Sequence, residues 1–114
     1  MIRILATALL ALSLTASGAF ATSMRELVYV DGLHYKKFTD VPFTGKVDEG
    51  ARRGAIKDGK EEGPWVTYYD DGQLATKGEY KNGLREGPWV DYKEYGIKWE
   101  RMSGTYRNDV KVSD

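Results

Sequence analysis

The hexapeptide Gly63-Pro64-Trp65-Val66-Thr67-Tyr68 returns as Gly87-Pro88-Trp89-Val90-Asp91-Tyr92, 24 residues on (63 to 87). A unit that short cannot bury a hydrophobic face alone and must stack on its neighbours, so the chain is built as an array. Setting residues 54–77 against 78–101 also matches Gly54 with Gly78, Lys57 with Lys81, Gly59 with Gly83, Glu62 with Glu86, and Gly72 with Gly96. A partial third copy opens at Gly104, where Gly-Thr-Tyr-Arg-Asn echoes Gly78-Glu-Tyr-Lys-Asn after two extra residues.

Short aromatic and β-branched runs separated by Asp31-Gly32, Asp58-Gly59, Asp71-Gly72 and Asn82-Gly83 read as strands joined by tight turns. No stretch after Ala21 carries a helical period, so the predicted fold is all-β, an antiparallel meander of stacked hairpins. Pro64 and Pro88 are expected at strand starts, where a missing N–H is tolerated. A two-residue turn at Asp71-Gly72 predicts Tyr69 opposite Leu74, Thr67 opposite Thr76 and Trp65 opposite Gly78, with the Trp65 ring lying over that glycine. The two extra residues of the second copy are expected to lengthen the turn around Tyr95-Gly96, so that Trp89 reaches Gly104, with a bulge as the competing explanation.

Val66 and Tyr68 recur as Val90 and Tyr92, which makes their face the expected core. On the alternate face Thr67 becomes Asp91 and Tyr69 becomes Lys93. That variable face, with Trp65, Tyr69 and Trp89, is the candidate partner surface, tryptophan and tyrosine being favoured interface residues, and core packing is the competing role for the same aromatics.

Ahead of the repeats, Leu27-Val28-Tyr29-Val30, the Asp31-Gly32 turn and Leu33-His34-Tyr35 predict a first hairpin, and Phe43 to Val47 the start of another. Asp48 to Arg53 shows neither period and reads as loop. Met1-Ile2-Arg3, the apolar run Ile4 to Leu14 and Ala19-Phe20-Ala21 follow the pattern of a secretory signal peptide cleaved after Ala21. The expected organisation is therefore a signal peptide (1–21), an N-terminal hairpin with a degenerate first unit (22–53), full repeats at 54–77 and 78–103, and a partial repeat with tail (104–114). Export to the periplasm or beyond follows from the first segment.

The series Gly-x-Trp-x-x-Tyr, Asp-Gly, Gly-x-Tyr-x-Asn-Gly and Glu-Gly, running over residues 54–108, resembles the MORN repeat in its bacterial form. Its signature positions here are Gly63, Trp65, Tyr68 and Gly72, then Gly87, Trp89, Tyr92 and Gly96. Departures are Ile56 where the next copy has Tyr80, and Asp109 where it has Gly83. The resemblance implies an extended hairpin sheet that serves as an interaction scaffold without enzyme chemistry. It also implies, through some bacterial members, an antitoxin-like neutraliser.

Without Arg3 the 17 basic residues become 16, against 17 acidic, and no block of like charge appears. Neither nucleic acid nor an anionic membrane is thereby an expected partner. Cysteine is absent, which removes disulfides, thiolate metal sites and a cysteine nucleophile. His34 is the only histidine and is expected half-exposed in a strand. Glu61-Glu62 and Asp70-Asp71 lack the spacing of a calcium loop, and Asp71 fits turn chemistry. No nucleophile or phosphate-loop motif is present. The expected protein is a noncatalytic binding module with no cofactor or metal, a protein partner and scope for self-association. Its rivals are a toxin neutraliser, a structural component of the envelope, and a hydrolase or carbohydrate-binding protein.

Overall fold

The computed structural model describes residues 22–114. The expected signal peptide lies outside the described residues. The rest is an antiparallel all-β meander, as the turn dipeptides predict. Strands β1 (Leu27–Val30) and β2 (Leu33–Lys36) form a separate hairpin. A seven-stranded sheet then runs in simple sequence order through β3 (Gly45–Val47), β4 (Arg52–Lys57), β5 (Lys60–Tyr68), β6 (Leu74–Lys81), β7 (Leu84–Asp91), β8 (Gly104–Arg107) and β9 (Val110–Ser113). Arg52 and Arg53 belong to β4 rather than to a loop, and the expected boundary at residue 53 falls inside that strand. Aperiodic charge hid it, because both arginines are held by cross-strand pairing to Thr67 and Val66.

The repeated Gly-Pro-Trp forms a bulge. Between β4 and β5, Arg53 pairs with Val66 and Ala55 with Glu62, so Gly63, Pro64 and Trp65 together face Gly54. The same happens between β6 and β7, where Gly87, Pro88 and Trp89 face Gly78. Gly63 and Gly87 take φ of +79° and +80°, the left-handed region glycine enters freely. The prolines therefore sit inside their strands, not at the starts. A bulge is the one interior place where a missing N–H leaves the ladder intact.

Each indole then spans the gap its own bulge opens. Trp65 Nε1–H donates to the Ala55 carbonyl oxygen at 2.9 Å, and Trp89 Nε1–H to that of Glu79 at the same distance. Trp65 lies over Gly54 and Trp89 over Gly78. The register prediction holds for Trp65 opposite Gly78, Thr67 opposite Thr76 and Trp89 opposite Gly104. The seat does not follow the register: each ring turns to the strand before it, not the strand after.

Burial follows the indoles. Trp65 is 1% exposed and Trp89 3%, whereas Val66, Val90, Tyr68 and Tyr92 are only half-buried. The expected assignment of faces is thus reversed. Recurrence marked Val66 and Tyr68 as core, but the tryptophans recur as well, and a single-layer sheet leaves its other face half wet. On the buried face the rings form a row across the strands. Tyr80 meets Trp65 edge-on at 6.1 Å and Trp89 at 5.1 Å, Arg52 stacks on Trp65, and Arg85 bridges Trp89 and Tyr106.

The N-terminal hairpin closes one end of that row. Leu27 packs with Val47, Ile56 and Trp65, with Met24, Phe43 and Tyr80 against them. Met24–Glu26 is a 3₁₀ turn entered through a capping box, Ser23 Oγ accepting from Arg25 N–H and Glu26 from Ser23 N–H. The Ser-x-x-Glu spacing was visible in the sequence and locates this otherwise unassigned segment.

Turns are stitched to the preceding unit. Gly83 N–H donates to the Glu61 carbonyl oxygen, and Asp109 N–H to that of Arg85. The recurring glutamates do parallel work: Glu62 accepts from Asn82 N–H at 3.1 Å and Glu86 from Asn108 N–H at 3.3 Å. At the other end of the hairpins, Tyr69 N–H donates to Gln73 O and Gly72 N–H to Tyr69 O. The loop is Asp70-Asp71-Gly72, one residue longer than the turn expected, and Tyr69 therefore faces Gln73 rather than Leu74. A bulge at Ala75 restores the register. Asp71 Oδ1 accepts from Gln73 N–H, the Asx chemistry expected of it.

Candidate binding surface on the β7–β8 connection

The signature residues are consumed by the frame. Gly63 and Gly87 make the bulges, Trp65 and Trp89 staple them, and Gly72 and Gly96 complete turns at φ of +88° and +76°. Tyr68 and Tyr92 enter the frame through their backbones, donating to the carbonyl oxygens of Ala51 and Ala75, and Tyr68 lies under Arg53. Of the candidate partner surface, Trp65 and Trp89 are buried and offer a partner nothing. Tyr69 stays half-buried, and its hydroxyl donates to the Tyr92 carbonyl oxygen at 2.5 Å, tying one turn to the next strand. Sequence left the indoles open between core packing and recognition because it could not show which way they turn across a bulge, and their burial settles them as packing.

Large apolar side chains are exposed instead on residues 92–103. Lys93 N–H donates to Ile97 O as Tyr69 N–H does to Gln73 O, so the turn at Tyr95-Gly96 keeps the length of its counterpart. The two extra residues enter after it, where Met102 and Ser103 N–H both donate to the Trp99 carbonyl oxygen. Tyr95 is 83% exposed, Ile97 60% and Trp99 39%, with the Lys93 ammonium 5.8 Å from the Trp99 ring. Tyr95 also holds φ of +68°, a left-handed conformation that is unfavourable for a bulky side chain. The signal was present in the sequence as the one place where the copies differ in length.

The segment is joined to the end of β7 by a buried polar pair, Asp91 and Ser103. Asp91 N–H donates to Ser103 Oγ at 2.8 Å, Ser103 Oγ–H returns a bond to the Asp91 carbonyl oxygen at 3.1 Å, and Trp99 N–H donates to the same carbonyl. Asp91 and Ser103 are 6% and 4% exposed, and Asp91 Oδ1 has no hydrogen-bond partner. Burial raises the Asp91 carboxyl above its ordinary value, and the nearby Arg85 guanidinium opposes this. Thr67, its counterpart, shares a 2.6 Å hydrogen bond with Thr76.

The other titratable cluster is His34, Glu61 and Arg52. His34 is buried at 6% exposure rather than half-exposed, because the N-terminal hairpin folds onto the sheet and its backbone bonds to Gly59 and Phe43. Its Nε2 lies 3.4 Å from Glu61 Oε2, which Arg52 also approaches at 3.4 Å. Among the described residues, no hydroxyl hydrogen-bonds His34 Nε2. Among the described residues, no group of three or more histidine or acidic side chains is arranged to hold a metal ion. An open groove of about 540 Å³ runs past Arg25, Arg53, Tyr68, Tyr69 and Asp70, beside the first repeat's turn.

No family model matches the chain, and neither a curated protein nor a solved structure matches it.

Proposed function

We propose that the chain is an exported, noncatalytic protein-binding module of MORN type whose contact surface is the β7–β8 connection rather than the tryptophan face. One observation carries the reading: Tyr95, Ile97 and Trp99 are all exposed on the connection where the two repeat copies differ in length. A strained, exposed tyrosine beside an aliphatic and an indole side chain is the composition of an interface centre. The repeat supplies the rigid platform, since its own aromatics are spent on packing.

The test is capture from periplasmic extract by the wild-type protein and by a Tyr95→Ala/Ile97→Ala/Trp99→Ala variant. The captured protein is identified by mass spectrometry and then titrated in purified form. The variant keeps its circular dichroism spectrum and loses the titration. Equal binding by both proteins would place the contact elsewhere.

A further inference from the structure

We propose that Asp91 is a pH-sensitive latch for residues 98–103: the segment is held against the end of β7 while the Asp91 carboxyl is protonated, and ionisation releases it. The latch stands without any partner. Its consequence for binding rests on the reading above, because Trp99 lies in both the latched segment and the proposed contact surface.

The segment has few attachments to the body of the sheet, and they converge on one residue. Asp91 contributes its N–H to Ser103 Oγ and its carbonyl oxygen to both Ser103 Oγ–H and Trp99 N–H. The other ties are at the segment's start, where Lys93 N–H donates to Ile97 O and the Lys93 ammonium lies 5.8 Å from the Trp99 ring, and at the far edge, where Tyr106 Oη–H donates to Met102 O and the Lys111 ammonium to the carbonyl oxygens of Glu100 and Arg101. The residue that anchors the segment through its backbone therefore also carries a buried carboxyl, flanked in the sheet by Thr76 of β6 on one side and by Trp99 and Ser103 of the segment on the other.

That carboxyl is poorly provided for as an anion. Its Oδ1 is buried and unpartnered, and leaving a buried charge without hydrogen bonds costs more than exposing it to water. β6 presents Thr76 directly opposite, an uncharged side chain already hydrogen-bonded to Thr67. The segment presents Ser103, also uncharged, while its charged residues Lys98, Glu100 and Arg101, with Lys93 and Glu94 of the preceding turn, are solvent-exposed. Arg85 on β7 is the one charge that favours the anion, and its guanidinium stacks between Trp89 and Tyr106. As a neutral acid the group avoids the cost of a buried charge. Once ionised it gains solvation when the flanking segment, residues 98–103, lifts away.

The first repeat shows that the fold does not need an acid at this register. Thr67 occupies the equivalent position and satisfies its hydroxyl within the sheet. An ionisable group kept at a cost where the frame accepts threonine is the pattern of a functional residue.

Hydrogen–deuterium exchange of the full chain from about pH 4 to about pH 7, corrected for the intrinsic exchange rate, reads the latch through the Asp91 and Trp99 amides, whose bonds cross between β7 and the segment. Protection of these amides falls as pH rises, tenfold per pH unit between the open-state value near 3.8 and the higher closed-state value. The β5–β6 amides serve as the reference and stay flat. Asp91→Asn abolishes the dependence, and so does Asp91→Thr, which copies the repeat's own residue and covers the case in which the amide variant folds poorly. Flat protection in the wild type, or the same slope in either variant, would overturn the latch. Neither result needs a partner, so failure of the binding reading shows separately in the titration.

Discussion

The Trp65 indole lies so close over Gly54 that a Cβ on the glycine would sit 2.3 Å from the ring. Gly54 therefore has a steric reason to be glycine that has nothing to do with its backbone dihedrals. Gly78 stands in the same relation to Trp89, its Cβ position being 2.1 Å from that ring. Gly54→Ala and Gly78→Ala must displace a buried indole, and each is expected to cost about 1–3 kcal/mol in urea unfolding. Gly63→Ala has open space around it and costs only the strain of its positive φ, about 1 kcal/mol.

Removing the staple has a larger effect than crowding its seat. Trp65→Ala empties the core against Leu27, Val47 and Ile56 and leaves the Ala55 carbonyl oxygen without the indole N–H. The expected loss is about 3–5 kcal/mol, a large part of what a domain of this size has. Trp65→Phe should recover most of the packing and none of the hydrogen bond, landing between the two. Denaturant midpoints at constant m-value check both.

Asp91 gives stability a pH dependence whose sign follows from its raised folded-state value. Stability from this group is fully present below the unfolded value of 3.8 and is lost as pH rises through the folded one. Asp91→Asn is therefore expected to be more stable than the wild type at neutral pH and to lose that advantage in acid. Thermal midpoints across the pH range measure the crossover.

Tyr95 is held at φ of +68° while its ring stands in solvent, so it contributes strain and no burial. Tyr95→Gly is expected to raise stability by up to about 1 kcal/mol while weakening partner binding. A stabilised variant with intact binding would show that the tyrosine has no contact role.

The turn dipeptides and the period made most of the fold legible: strand order, the first hairpin, and the pairing of Trp65 with Gly78 all follow from them. What escaped depends on side-chain direction. Period-2 logic assumes unbroken pairing, and the Gly-Pro-Trp bulge breaks it three residues to one. Val66 and Tyr68 consequently read as core when the indoles are. His34 was misjudged for a different reason, since its burial comes from a hairpin folding onto the sheet, a contact no local pattern encodes. The exposed connection was half legible: the copies' unequal length pointed to it, but the extra residues fall after Ile97 rather than in the turn.

The claim on which the rest depends is that Trp65 and Trp89 are internal staples, leaving Trp99 as the accessible indole. Acrylamide quenching of tryptophan fluorescence in a Trp99→Phe variant isolates the two buried rings, because the chain has three tryptophans. The account predicts blue-shifted emission and weak quenching that becomes strong only on unfolding. Quenching in the native state as strong as in the unfolded chain would contradict it.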